Sequence, residues 1–122
     1  MIITKVNLAE KFSAFCDHWN PRIAGELNGQ MVKLVKFRGP FVMHKHDEED
    51  EMFLVVKGSF KMMLDEQETI LLEAGEFIII PKGTMHQPVA DEEVEVLLFE
   101  PATTLNTGDA PSELTRKELE KI

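Results

Sequence analysis

Two of the four histidines in this 122-residue chain, His44 and His46, stand two positions apart. On a β-strand, side chains at i and i+2 point to the same face, with Cα atoms roughly 7 Å apart. Both imidazoles can then converge on one metal ion. A run of five acids, residues 47–51, follows directly and ends at Glu51, where an apolar segment begins. A hairpin here would bring the carboxylate at the start of that segment back to the two histidines.

A third histidine, His86, follows the turn signal Pro81-Lys82-Gly83 and can complete such a site from a later strand. Each piece alone has a plainer interpretation, since a His-x-His pair is often a surface pair and an acidic run is often a solvated turn. The acidic run does not have the spaced ligands and central glycine of an EF-hand calcium loop. His18, beside Trp19, has no partner in sequence, and we interpret it as a packing or surface residue.

Short runs rich in β-branched and aromatic residues begin after the turn signal Asn28-Gly29 and are separated by turn residues. Many short strands at close spacing are typical of an antiparallel sandwich or barrel. The predicted strands are Met31–Phe37, Phe41–His46, Glu51–Lys57, Phe60–Leu64, Thr69–Leu72, Phe77–Ile80, Met85–Ala90 and Val94–Phe99.

The segment before these strands predicts a helix from Asn7 to Trp19, with Asn7 as N-cap and Glu10 three residues later, as in a capping box. Its apolar stripe would comprise Leu8, Phe12 and Phe15. The tail after Glu100 is polar and predicts a surface arm. We therefore expect one domain over 1–122, with an N-terminal helical segment at 1–29, the β-barrel at 30–100 and the C-terminal arm at 101–122.

Composition excludes several classes of protein. The chain has 22 acids and 13 bases, a net charge of −9, which disfavours nucleic acid as a partner. No apolar run approaches the roughly 18 residues of a transmembrane helix, and the N-terminus does not resemble a signal peptide. A single cysteine, Cys16, rules out an internal disulfide and favours a reducing cytoplasm.

Three predicted strand segments are apolar on both faces, namely 52–56, 77–80 and 96–99. One face can line the interior of a barrel, but the other must also be covered. The N-terminal helix or a second subunit can provide that cover, and we expect a homodimer.

The histidines and acids lie within a pattern that resembles the two sequence motifs of the cupin superfamily. The first motif reads Gly39, four residues, His44-Lys45-His46, four residues, Glu51, six residues, Gly58. The second reads Gly75, five residues, Pro81-Lys82-Gly83, two residues, His86, three residues, Ala90. The match departs from the family in its first spacer, which usually has five residues, and in Ala90, where the family often has asparagine.

The resemblance implies a jelly-roll β-barrel in which His44, His46, Glu51 and His86 hold one divalent metal ion. Three imidazoles and one carboxylate suit Mn, Fe, Ni, Zn, Co or Cu and leave coordination positions open on a five- or six-coordinate ion. The family pattern also permits Asp50 as the acidic ligand, but we predict Glu51. We further expect one acid among Glu48, Glu49 and Asp50 to orient a ligand histidine.

Small cupins of this kind are similar to a group often labelled mannose-6-phosphate isomerase-like. The sequence predicts a metal-dependent isomerase, epimerase or oxygenase acting on a small oxygenated metabolite, either sugar-like or a carboxylate or hydroxy-ketone. The cations Lys33, Lys36, Arg38, Lys45 and Lys82 are scattered, and no glycine-rich phosphate cradle accompanies them, which disfavours a phosphosugar. No residue is assigned as general acid or base. The alternative is a non-enzymatic cupin that binds or senses a small ligand or a metal.

Overall fold

The computed structural model describes residues 2–65 and 68–122. The described chain forms one helix and seven strands: α1 (Leu8–Ser13), β1 (Arg22–Leu27), β2 (Gln30–Pro40), β3 (Glu51–Lys57), β4 (Ser59–Leu64), β5 (Thr69–Glu73), β6 (Phe77–Ile80) and β7 (His86–Pro101). No helix among the described residues has the length and apolarity needed to cross a bilayer.

Strand β7 joins the two halves of the barrel. All strand pairs are antiparallel, and the main sheet has the order β1-β2-β7-β3-β6. The first residues of β7 pair instead with β4, which also pairs with β5. Side chains from both halves meet in a single core that includes Phe37, Phe53, Phe60 and Val96. The predicted antiparallel barrel with a short N-terminal helix and a C-terminal arm is confirmed.

The strand boundaries differ from the prediction at two places. The segment Phe41–His46 is not a strand, although His44 makes an isolated antiparallel bridge to His86. The segments Met85–Ala90 and Val94–Phe99 belong to the single strand β7. The charged residues between them looked like a turn, but they are the exposed point at which one edge of β7 changes partners from β4 to β3, while β2 pairs with β7 on both sides of that point.

The N-terminal segment is less helical than predicted. Helix α1 ends at Ser13 rather than Trp19, with Ala14 as C-cap, and Trp19 itself has a φ of 59°, a conformation that an α-helix does not contain. At the other end, Asn7 caps the helix as expected, and its side chain accepts a hydrogen bond from the Glu10 backbone N–H at 3.0 Å. The segment 1–29 also contains strand β1, which the turn at Asn28-Gly29 joins to β2.

The helix and the arm both pack onto the barrel. Phe12 is fully buried and lies with Phe15 against Leu34 of β2. The predicted stripe is therefore buried at these two positions and half-buried at Leu8. Residues 102–122 form turns rather than a helix, yet Thr107 of this arm has no exposed surface.

Candidate metal centre

The four residues of the predicted site lie together inside the barrel. His44, His46, Glu51 and His86 are all buried, and one ligand atom from each lies within 4.8 Å of the others. His44 and His46 come from the loop between β2 and β3, while Glu51 begins β3 and His86 begins β7. The sequence therefore predicted the membership of this cluster. It did not predict that a loop, not a strand, supplies the first two histidines.

A backbone bridge positions the first and last histidines. The His44 N–H donates to the His86 carbonyl at 3.0 Å, and the His86 N–H donates back at 2.8 Å. The two imidazole centroids are consequently 4.2 Å apart. The ring of His46 lies 4.9 Å from that of His44 and 5.4 Å from that of His86.

Two backbone carbonyls set the orientation of the rings. His44 Nδ1 donates to Val42 O at 2.9 Å, and His86 Nδ1 donates to Thr84 O at 2.9 Å. A carbonyl only accepts hydrogen bonds, so each Nδ1 carries a proton and Nε2 is the nitrogen left for the cluster. This arrangement is typical of metal-ligating histidines.

The ligand atoms converge on the Glu51 carboxylate. His46 Nε2 and His86 Nε2 each lie 3.3 Å from Glu51 Oε1. Because His86 Nδ1 is bonded to Thr84 O, Nε2 is the nitrogen that His86 offers to the cluster. His44 Nε2 and both ring nitrogens of His46 are buried with no hydrogen-bond partner among the described residues. Adjacent ligands about 2.1 Å from one ion are themselves about 3.0–3.4 Å apart, so the contacts of Glu51 with His46 and His86 suit a shared transition metal ion.

Burial and neighbouring groups set the protonation of two members of the cluster, His44 and Glu51. Burial, together with the neighbouring charge of His86, lowers the pKa of His44 from 6.5 to about 4. Burial raises the pKa of Glu51, but hydrogen bonds and charge from His46 and His86 more than offset this and hold that pKa below its ordinary value. At neutral pH His44 is therefore a neutral base and Glu51 a carboxylate, the forms that bind metal ions.

The acidic run does not orient the histidines. Asp50 is exposed and accepts a hydrogen bond from the Lys82 backbone N–H at 2.8 Å, outside the cluster. Glu49 accepts from Thr103 Oγ1 at 2.9 Å. The expectation that an acid from this run would orient a ligand histidine is wrong, because the Val42 and Thr84 carbonyls take that role. Glu51 remains the predicted acidic ligand.

The remaining histidine and the scattered cations lie away from the cluster or are already bonded. His18 Nε2 lies 2.8 Å from Glu93 Oε1 at the surface, which agrees with its interpretation as a surface residue. Lys36 is buried and its Nζ donates to Phe15 O at 2.7 Å. Arg38 and Lys82 are exposed, so the predicted cations do not assemble a phosphate site.

A buried acid beside the cluster was missed by sequence reasoning. Glu100, at the end of β7, lies next to Glu51 and 3.5 Å from the buried Nζ of Lys33. Burial, followed by the charge of Glu51, raises the pKa of Glu100 well above its ordinary value. The signal was a charged residue beside apolar ones in each strand, Lys33 between Val32 and Leu34 and Glu100 directly after Phe99. Only the β2–β7 register, which pairs Val32 with Phe99, places Lys33 and Glu100 diagonally opposite.

A cavity adjoins the cluster. Its walls include Trp19, Phe37, Phe41 and Phe53, and His44 and Glu51 of the cluster also line it. The space there that is open to a water-sized molecule is about 30 Å³, and His44 and Glu51 face it.

Comparisons with known proteins agree with this architecture. A family model described as "Cupin domain" matches residues 34–100, which contain the whole candidate site. The uncharacterized protein YdbB of Bacillus subtilis (strain 168) is 37% identical over 62 residues. That match spans 51% of this chain and 55% of YdbB, so the chain aligns with about half of that relative.

Solved structures show the same fold. A cupin-2 domain containing protein from Shewanella frigidimarina is 43% identical, with a TM-score of 0.77, over 79% of this chain and 93% of that one. KdgF from Halomonas sp. is 30% identical, with a TM-score of 0.58, over 66% of this chain and 78% of that one.

Proposed function

The chain belongs to the cupin family, and we propose that it binds one divalent transition metal ion in order to act on a small oxygenated metabolite. In this proposal residues 1–122 form a single cupin domain. The ion is held by His44, His46, Glu51 and His86. The observation that carries the proposal is the convergence of His46 Nε2 and His86 Nε2 on the buried Glu51 carboxylate, each 3.3 Å from Oε1.

The donor set defines which ions suit the site. Imidazole nitrogens with one carboxylate suit Mn, Fe, Ni, Zn, Co and Cu, whereas Ca and Mg prefer all-oxygen sites. Such an ion supplies Lewis acidity for a bound oxygen and, if it is iron, redox chemistry. The chain itself fixes the ring orientations through the Val42 and Thr84 carbonyls and keeps the donors buried. The substrate we propose is sugar-like or a carboxylate or hydroxy-ketone, handled by an isomerase, epimerase or oxygenase.

A second candidate is a cupin that binds or senses its ligand without turnover. One observation favours it, namely that the cavity walls offer few groups for proton transfer. Apart from His44 and Glu51, Asn106 is the one polar residue among those that line the cavity. Both functional groups of its amide are engaged, with Leu114 O and with the Arg116 backbone N–H, at 2.9 Å each.

Metal titration of two neighbouring variants tests the proposed ligand set. Glu51→Ala removes the carboxylate inside the cluster, whereas Asp50→Ala removes an exposed carboxylate one position away. We expect Glu51→Ala to weaken Zn²⁺ binding by at least about tenfold and Asp50→Ala to leave it nearly unchanged. The reverse order would contradict the assignment of Glu51.

Exchange of metal-bound water distinguishes an enzyme site, which has open coordination positions, from a closed structural site. In the Mn²⁺-loaded protein, we expect enhanced relaxation of water protons, because four protein ligands leave coordination positions for exchangeable water. Loss of this enhancement when a substrate-like hydroxy acid is added would support ligand access to the ion. Mn²⁺ without exchangeable water would argue against an enzyme.

We also propose a cytoplasmic homodimer. Edge strand β6 exposes Phe77 and Ile79, each by more than half, and a second copy of the chain would cover them. Cys16 is an exposed free thiol, which suits a reducing compartment. Sedimentation at micromolar concentration tests the dimer. We expect wild-type dimers and Ile79→Lys monomers, and a wild-type monomer of 13.9 kDa would refute the dimer.

A further inference from the structure

A second cavity lies where the C-terminal arm meets strands β1 and β2 of the barrel, and the space in it that is open to water-sized molecules is about 210 Å³. We call it the arm cavity, and its lining includes Ile23, Met31, Lys33, Thr104, Arg116 and Lys117. We propose that the arm cavity binds a small oxyanion, the carboxylate or phosphate group of a ligand. The proposal stands apart from the metal centre, because none of the four candidate metal ligands lines this cavity.

The charge of the lining is positive. Lys33 comes from β2, and Arg116 and Lys117 come from the arm, whereas no acid of the described chain lines the cavity. The whole chain has 22 acids and 13 bases, so the lining is opposite in sign to the molecule as a whole. A cavity lined by charges of one sign concentrates ions of the other sign, which here are anions.

Lys33 contributes a buried ammonium group to the arm cavity. Its side chain is 3% exposed, and its Nζ lies 3.4 Å from Thr104 O and 3.5 Å from Glu100 Oε1. An ammonium group has three N–H donors, so these two long contacts leave at least one donor without a partner among the described residues. Buried donors are nearly always paired, and an oxyanion in the cavity would supply the missing acceptor.

Thr104 provides an independent indication of a polar ligand. The residue is only 7% exposed, and its Oγ1 is buried with no hydrogen-bond partner in the described part of the chain. Burial of a hydroxyl without a hydrogen bond is unfavourable. Because Thr104 lines the arm cavity, an oxyanion bound there could accept a hydrogen bond from this hydroxyl.

Arg116 is held in place with one edge of its guanidinium unpaired. Its Nη1 donates to Glu113 O at 3.1 Å and to Thr115 O at 3.2 Å, and its backbone N–H donates to Asn106 Oδ1 at 2.9 Å. Within residues 2–65 and 68–122, neither Nε nor Nη2 of Arg116 has a partner. These two nitrogens form the parallel pair of donors that binds a carboxylate or a phosphate through two hydrogen bonds.

Calorimetry with two oxyanions tests the proposal. The full-length protein is first dialysed against a chelator, so that no metal ion can bind the anion, and chloride keeps the ionic strength constant. We expect saturable binding of inorganic phosphate or of malonate, and competition between them if both bind. Tighter binding of phosphate would support a phosphorylated ligand, and tighter binding of malonate a carboxylate ligand. No saturable binding of either anion up to about 10 mM would overturn the proposal.

A matched pair of arginine variants locates the site. Arg116→Gln removes the paired donors and should weaken binding of the anion at least about tenfold, the effect typical of lost hydrogen bonds to a charged group. Arg38→Gln removes the same group from an exposed position outside the cavity and should leave binding nearly unchanged. Equal affinities of Arg116→Gln and wild type, or equal losses in the two variants, would contradict a site at Arg116.

Thr104→Val separates a binding role from a structural one and decides the matter if Arg116→Gln fails to fold. The substitution removes a hydroxyl that has no partner among the described residues, so the free energy of unfolding of the anion-free protein should be unchanged or higher. Binding of the anion should nevertheless weaken several-fold. Wild-type affinity in Thr104→Val would overturn the proposal. These measurements use metal-free protein, so their failure would leave the proposed metal site untouched.

Discussion

Gly108 joins the C-terminal arm to the loop that carries two of the candidate ligands. It has a φ of +55°, and a Cβ placed on it would lie 2.2 Å from Lys45 O and 3.1 Å from His44 Cδ2. Asp109 extends the same contact, since its N–H donates to Lys45 O at 3.1 Å and its Oδ1 accepts from the Lys45 N–H at 3.0 Å. Gly108→Ala should therefore disturb both the fold and the metal loop.

The cost of Gly108→Ala has two parts. The left-handed backbone costs an L-residue about 1–2 kcal/mol. A contact of 2.2 Å with a backbone oxygen forces the arm and the loop apart, at the roughly 1–3 kcal/mol typical of overpacking. We expect the free energy of unfolding of the apo protein to fall by about 2–5 kcal/mol, measured by urea denaturation. Since His44 moves with Lys45, Zn²⁺ affinity should fall as well.

Gly75→Ala is the matched control. Gly75 has a φ of +85°, but a Cβ there would meet no atom within 4 Å. The free energy of unfolding of this variant should fall only by the cost of the left-handed backbone, about 1–2 kcal/mol, and its Zn²⁺ affinity should be unchanged. Equal losses in the two variants, or an unchanged Zn²⁺ affinity in Gly108→Ala, would refute the reasoning that the arm packs against the metal loop.

Three further predictions concern the helix and the cluster. Phe12→Ala, which empties a fully buried position, should lower the free energy of unfolding by about 3–5 kcal/mol and leave Zn²⁺ affinity unchanged, because Phe12 packs in a separate cluster from the cavity residues. Asn7→Ala, which removes the N-cap bond to Glu10, should cost about 1 kcal/mol in a urea titration. The pKa of His44 is lowered from 6.5 to about 4, so below pH 6.5 the unfolded chain binds more protons than the folded one. The free energy of unfolding of the apo protein should therefore decrease as the pH is lowered from about 6.5 to 4. The decrease should be steeper than in His44→Leu. Equal slopes would contradict the lowered pKa of His44.

The candidate site could be predicted because His44, His46, Glu51 and His86 stand at the spacings of the two cupin motifs. The strand expected to carry His44 and His46 is a loop, so strand alternation alone did not predict their positions. Matching a motif requires no knowledge of which strands are neighbours. The groups that orient the rings were not predictable in this way, because they are the backbone carbonyls of Val42 and Thr84. Every residue has a backbone carbonyl, so no residue type marks these two.

The parts of the fold that sequence reasoning missed depend on pairing between distant segments. Strand β1 has weak alternation and is a strand because the Asn28-Gly29 turn pairs it with β2. Strand β7 continues through a charged stretch because β2 pairs with it on both sides of that stretch, while β4 and β3 pair with its first and second halves. The Lys33–Glu100 pair similarly exists only in the register of β2 with β7.

The metal content of the untagged protein, measured by elemental mass spectrometry after loading with first-row metals, tests the central claim most directly. We predict close to one ion per chain in the wild type, and loss of that ion in His44→Ala and in His86→Ala. His18→Ala should retain it, because His18 pairs with Glu93 at the surface. A wild-type protein that takes up none of these metals, or histidine variants that bind as well as the wild type, would contradict the account.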